Sequence, residues 1–368
     1  MKSKGKKGSF TAAPPGEPSR SDLIPLSRPH VPKGTLRGLG AILRGRHLAA
    51  GPVTAAFEAA LEGLTAPEVV TVNSGTTALM LLLRALKDHR GRGEEVVVPA
   101  YCCPSVFWAV RSADLRPVVA DTDPATFAYD AGDLKRRLTK KTLAVVVVHT
   151  FGTVNPQALW DLPFPIEDCA HTVGCRRGGR PVGALAEAAF FSFYATKLLH
   201  TAYGGAARAP SAIAARIRDY KLTDSVSKGT PRGYNVSLSD LLAFLGLAQL
   251  AEIDAVVAKR RRIARAYDAA LAGSGLLVPR DYGSDACYRY VVRLAGTPIE
   301  EARAFFRSRG ITANRPYETP LFLLGDAGAY PGAREIYDRV LALPLFYDLT
   351  RDEVLKVKGA LRDFAAGL

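Results

Sequence analysis

At 368 residues, 48% hydrophobic and 23% charged, the chain has a globular composition and is long enough for two domains rather than one small core. No apolar run reaches the about 18 residues of a membrane span, and no apolar segment follows Lys2, Lys4, Lys6 and Lys7 to make a secretory signal. The formal charge of +14 comes with neither zinc-finger spacing nor an aromatic-interleaved basic platform, so it argues for attraction of an anionic small substrate rather than nucleic acid.

Residues 1–23 form a basic tail rich in Gly, Pro, Ser and Lys, which the composition predicts to be disordered. From Ile24 to Glu62 the pattern is helical, with breaks at Pro29, Pro32 and Gly51-Pro52. Apolar strands then alternate with helix-like segments. The predicted strands are Val69–Val72, Glu95–Val98, Arg116–Asp121, Leu143–His149, Pro165–Glu167, Ala189–Phe193 and Gly205–Arg208. A continuous run such as Ala144-Val145-Val146-Val147-Val148 suits a strand covered on both faces, so an α/β domain with a mainly parallel seven-stranded sheet is expected. Ser239–Leu271 reads as one long helix with Ser239 as N-cap, and its Lys259-Arg260-Arg261-Arg262 run with Arg265 reads as a solvated face. A strand at Tyr288–Leu294, a helix at Pro298–Gly310 and a terminal helix at Arg351–Phe364 predict a smaller α+β domain. The expected division is a large domain over 24–245 and a small one over 246–368.

The chemistry sits at the ends of these strands. Lys197 follows the apolar strand that contains Phe191-Ser192-Phe193, and Asp168 ends the run Ile166-Glu167-Asp168. A lysine and an aspartate at the mouth of a sheet are what pyridoxal phosphate requires. The amine condenses with the aldehyde, and the carboxylate keeps the pyridine nitrogen protonated. Asn73-Ser74-Gly75-Thr76-Thr77-Ala78-Leu79 is a strand, a small polar turn and an apolar helix, which offers free amides to a phosphate; Ser192 lies close enough in sequence to Lys197 to join it. An ordinary N-cap and a backbone-bonded strand serine are the other readings of these two. Cys169, His171 and Cys175 lack a fourth zinc ligand nearby, so no metal is expected. Cys102-Cys103 lacks the two-residue spacer of a redox pair, and five scattered cysteines suggest a reducing cytoplasm. Gly178-Gly179 and Gly204-Gly205 read as turns.

Taken in order, these passages resemble the DegT/StrS-type sugar aminotransferases of the fold-type I pyridoxal-phosphate class. The resemblance runs from Ile24-Pro25-Leu26-Ser27-Arg28-Pro29 through Glu95–Tyr101, Gly179–Gly183, Gly233-Tyr234-Asn235 and Leu341–Leu345. It implies that Lys197 carries the cofactor and moves the substrate proton, that Asp168 pairs with the ring nitrogen, and that Gly75, Thr76 and Ser192 hold the phosphate. It also implies that Asn235 reaches the cofactor of a neighbouring subunit, hence a homodimer. Three positions depart from the family pattern. His171 stands where glutamine usually contacts the phenolic oxygen, a bond that a histidine can also make. Cys103 stands where an aromatic side chain usually stacks on the ring. Val236-Ser237 and Tyr203 replace the usual aromatic–basic pair and glutamate, changes expected to bear on the substrate.

The resemblance therefore implies a cytoplasmic aminotransferase with pyridoxal 5'-phosphate as cofactor. Its amino-acid donor would be glutamate, its acceptor a keto-sugar linked to a nucleotide, and its pathway polysaccharide or amino-sugar metabolite biosynthesis. A cyclitol or other non-sugar ketone as acceptor, and a catalytically idle cofactor-binding regulator, are the alternatives. The family's dehydratases carry histidine in place of the lysine, so Lys197 speaks against that activity.

Overall fold

A computed structural model describes residues 23–155, 161–222 and 233–367. Helices α1 (Thr35–Gly45) and α2 (Pro52–Leu64) lead into a strand–helix alternation: β1 (Val69–Val72), α3 (Gly75–Arg90), β2 (Glu95–Pro99), α4 (Pro104–Ser112), β3 (Arg116–Ala120), α5 (Ala131–Arg137), β4 (Thr142–Val148) and β5 (Pro165–Asp168). A small hairpin, β6 (Arg176–Arg177) and β7 (Arg180–Pro181), precedes β8 (Ala188–Ser192), β9 (Gly205–Arg208) and α6 (Ser211–Tyr220). All seven predicted strands join one sheet in the order β1-β9-β8-β5-β4-β2-β3. Within it β9 alone runs antiparallel to its neighbours, so β1, β2, β3, β4, β5 and β8 end on the same edge.

The valine runs explain how this sheet is buried. Val96, Val98, Val146, Val148 and Phe190 pack with Leu79 and Leu82 of α3, Ala109 of α4 and Ile213 of α6. Val97, Val145 and Val147 point the other way, against Tyr129 and Leu134. Successive side chains of a strand alternate between faces, and with both faces covered every position is worth filling with an apolar residue. Burial of each valine contributes about 1.5 kcal/mol or more, which leaves no place for the polar alternation of a half-exposed strand.

The C-terminal part begins with α7 (Asp240–Leu250) and α8 (Ile253–Asp268) and continues through β10 (Tyr290–Arg293), α9 (Ile299–Ser308), α10 (Pro331–Arg339), β11 (Val340–Leu343) and α11 (Arg351–Ala366). β10 and β11 form an antiparallel pair. Tyr267, Tyr290, Phe306, Leu341, Phe346 and Leu361 build their own apolar cluster, which also takes in Ile24.

Four expectations are corrected. Ile24 is not helical: it bridges to Ile311, with its amide 2.9 Å from the Gly310 carbonyl, because Pro25, Pro29 and Pro32 deny the segment helical hydrogen bonds. The long helix over Ser239–Leu271 is two helices, bent by 57°. At the joint Gln249 receives the His200 amide and donates to the His30 carbonyl, while Glu252 takes the His30 ring. Arg260 is not on a solvated face. It is buried, donates to the carbonyls of Tyr288 (3.0 Å) and Leu345 (2.8 Å), and burial pushes its pKa down to about 10. Gly205 is not a turn residue but opens β9, and a Cβ there would lie 2.4 Å from the Gly75 nitrogen. The predicted disordered tail lies outside the described residues except for Leu23.

Candidate active site

A cavity of about 310 Å³ opens at the common strand edge. Its lining includes Ser74, Gly75 and Thr76 after β1, Cys103 after β2, Asp168 and His171 after β5, Ser192 at the end of β8, and Lys197, Tyr203 and Tyr317. The hairpin that carries Lys197 is set by backbone bonds: the Thr201 amide reaches the Phe193 carbonyl and the Lys197 amide reaches that of Tyr194, both at 2.9 Å.

The first turn of α3 forms one wall. Ser74 caps it, its hydroxyl accepting the Thr77 amide at 3.1 Å, which leaves the Gly75 and Thr76 amides at the positive end of a 16-residue helix. Gly75 is required by close approach, since a Cβ would lie 2.8 Å from that of Ser192 and 3.2 Å from the Phe191 carbonyl. Amides, the Ser192 hydroxyl and the dipole thus converge on one spot, and this cradle fits a phosphate group.

Opposite lies Asp168, almost fully buried, with Oδ1 accepting the Ala170 amide at 3.0 Å. Burial pushes its carboxyl above the usual carboxylate range, and the Ala170 amide and the Lys197 charge offset this only in part. A cation brought against it would restore its charge. Next to it in sequence but on the other side of β5, Glu167 accepts the amides of Gly183, Leu185 and Ala186 at 2.8–3.0 Å and meets His149 Nε2 at 3.1 Å. His149 Nδ1 accepts the Asn155 amide, so its proton is on Nε2 and is donated to Glu167. Burial would raise the Glu167 carboxyl, but His149 and the amides outweigh it and hold it low. These bonds anchor the end of β5 from which Asp168 projects. The ligand-type atoms of His149, Glu167 and Cys169 lie within 4.8 Å of one another, yet both ring nitrogens and both carboxylate oxygens are committed to hydrogen bonds.

His171 Nε2 lies 3.0 Å from Lys197 Nζ. Burial, then the Lys197 charge, hold its imidazole well below the ordinary histidine range, so at neutral pH it is neutral and can accept from Lys197 Nζ. Its other side is stacked on Tyr288, with centroids 4.0 Å apart and planes 11° from parallel. Burial alone would raise the Tyr288 phenol, but the charges of Lys197 and Arg289 outweigh it and lower it.

Gly75, Thr76, Cys103, Asp168, His171, Ser192 and Lys197 therefore share one cavity. Asn235 does not line it. It is exposed, beside Val236, whose carbonyl takes the Asn73 amide at 2.8 Å. Cys103 receives the Ser105 hydroxyl at 3.1 Å. Sequence reasoning missed Tyr288, Tyr317 and the pairing of His149 with Glu167. A carboxylate inside an otherwise apolar strand, Pro165-Ile166-Glu167, was the one local signal for the last of these.

Fold and site together define an α/β enzyme of the pyridoxal-phosphate-type aminotransferase class. The Streptococcus pneumoniae protein Spr1654 in its PLP form has a TM-score of 0.84 to this chain at 26% identity, covering 94% of this chain and 99% of that one; its PMP form gives 0.83. The DegT/DnrJ/EryC1/StrS aminotransferase family matches residues 33–362, and the chain belongs to that family. It is similar to the spore coat polysaccharide biosynthesis protein SpsC of Bacillus subtilis (strain 168), at 31% identity over 95% of this chain and 98% of that protein. It is also similar to the GDP-perosamine synthase of Vibrio cholerae, at 28% identity over 82% of this chain and 88% of that one.

Proposed function

We propose that the protein is a pyridoxal-phosphate-dependent sugar aminotransferase that moves an amino group from glutamate to a keto-sugar carried on a nucleotide diphosphate. The observation that carries this reading is the sharing of one cavity by Lys197, Asp168 and the first turn of α3. The relatives support the acceptor class, one being named for a GDP-linked sugar and another for polysaccharide biosynthesis.

When bound, pyridoxal phosphate supplies an aldehyde that captures an amine and a ring that accepts the electrons left by a departing proton. Lys197 Nζ is the amine that would hold it, and as a free amine the base that would take the proton from the donor carbon. Asp168 would pair with the ring nitrogen, whose positive charge would favour the ionised carboxylate. The amides of Gly75 and Thr76 and the hydroxyl of Ser192 hold the phosphate. His171, neutral and stacked on Tyr288, orients the Lys197 amine and would contact the cofactor's phenolic oxygen, and Cys103 would offer the ring a small apolar group. The donor leaves as its 2-oxo acid, and the keto-sugar leaves as the amino sugar. Asn235, outside its own cavity, serves the phosphate site of a second copy in a homodimer. The enzyme works in the cytoplasm, in polysaccharide or amino-sugar metabolite biosynthesis.

Spectroscopy tests the proposal. The cofactor-loaded protein is expected to be yellow, glutamate to bleach it, and a nucleotide-linked keto-sugar to restore the colour. Bleaching by glutamate with no restoration by any keto-sugar would remove the acceptor class. Failure of glutamate to bleach would remove the donor.

A further inference from the structure

Lys197, the reacting amine, is the one lysine or arginine among the described residues that line the cavity, and His171 is held neutral. An amino-acid donor nevertheless brings a carboxylate on the very carbon that loses its proton. Placing that carboxylate in a desolvated cleft without a cation is strongly unfavourable.

Arg289 is the group that answers this need. Its backbone amide donates to the Phe151 carbonyl at 3.0 Å, which ties it to the turn that follows β4 on the strand edge of the site. Its guanidinium carbon lies 5.3 Å from the centre of the Tyr288 ring, and Tyr288 is stacked on the cavity residue His171. Its charge is felt at His171, Tyr288, Tyr101 and Tyr317. Yet Nε is buried without a partner, and the guanidinium makes no ion pair or hydrogen bond to any described residue. Neighbouring arginines are differently placed. Arg260 shares an unpartnered Nε, but its Nη1 donates to backbone carbonyls, and Arg280 bonds to Asp268 and to the carbonyls of Val278 and Val291. A half-buried guanidinium left unpaired, one residue from the tyrosine stacked on a cavity histidine, has the donor fork that a carboxylate matches.

We propose that Arg289 binds the α-carboxylate of the amino-acid donor, an assignment that rests on the aminotransferase reading above. The test uses cofactor-loaded protein and α-methyl-L-glutamate, which has no α-proton to lose and so reports binding without turnover through the visible absorbance. Arg289→Gln is expected to weaken this ligand by roughly 10- to 100-fold, the worth of a charge-assisted hydrogen-bonded pair. Arg289→Lys keeps the charge and should lose less. Propylamine, an amine without a carboxylate, should bind both proteins alike, and apoenzyme titrations should give the same affinity for pyridoxal phosphate. An unchanged affinity for α-methyl-L-glutamate in Arg289→Gln overturns the assignment. Equal weakening of propylamine does so too, and so does a loss that appears only for UDP, which would mark a phosphate contact. If wild-type protein binds the cofactor but never responds to α-methyl-L-glutamate, the donor reading fails and Arg289 loses its ligand with it.

Discussion

Gly75→Ala is a single-atom change at the junction of fold and site. The added Cβ would meet Ser192 Cβ at 2.8 Å and Ser192 Cα at 3.1 Å, where carbon atoms prefer at least about 3.5 Å. The first turn of α3 must therefore move off β8 by roughly 0.7 Å. Overpacking of this kind costs about 1–3 kcal/mol, so the apoenzyme should melt several degrees lower. The same displacement carries the Gly75 and Thr76 amides away from the Ser192 hydroxyl and so loosens the cradle that would hold the phosphate. Affinity for pyridoxal phosphate, measured by absorbance titration of the apoenzyme, should fall roughly 10- to 100-fold. Gly359→Ala in α11, where a Cβ meets nothing within 4 Å, serves as control and should stabilise by about 0.5–1 kcal/mol. A Gly75→Ala protein with wild-type melting and wild-type cofactor affinity would refute the close-approach argument.

Three further perturbations test other parts of the structure. Lys197→Ala should abolish covalent attachment of the cofactor, so that borohydride treatment no longer labels the protein, and should lower turnover by about 10²-fold or more. His171 is neutral in the fold, so below about pH 6.5 the unfolded chain binds a proton that the folded chain refuses, and stability falls as pH falls. Denaturant titrations of His171→Gln between pH 7.5 and 5.5 should lack this component, which approaches about 1.4 kcal/mol per pH unit. Asp240 accepts the amides of Gly51 and Thr54 and the Thr54 hydroxyl at the start of α2. Burial works against its charge, but these bonds prevail and hold its carboxyl low. Its contribution is present above about pH 4 and is lost as pH falls through its folded value. Asp240→Ala should cost about 2 kcal/mol at pH 7 and flatten the acid limb of the stability curve.

The sheet and most of the cavity were legible because their signals are local. A buried strand requires consecutive apolar residues, and the residue that follows it emerges at a sheet edge, so Val145–Val148, Asp168 and Gly75 announced themselves within a few positions. The long-helix expectation failed for the opposite reason. Nothing between Leu250 and Ile253 breaks a helix by its own chemistry; the bend accompanies bonds from Gln249 and Glu252 to His200 and His30, residues far away in the chain. Arg260 misled for a related reason, since four consecutive basic residues on an amphipathic helix cannot all face water when they span a full turn.

The sequence by itself determined the strands and the residues at their ends, a lysine, an aspartate and a small polar turn opening a helix, and their order along the chain carried the resemblance from which their chemistry was read. The tertiary structure decided how these groups are tuned. Burial makes Asp168 reluctant to ionise, burial and then the Lys197 charge keep His171 neutral, and the packing of the segment before β10 against the turn after β4 leaves Arg289 unpaired beside the site. Such tuning depends on desolvation and on charges brought together across more than a hundred residues, neither of which is a property of any short stretch of chain.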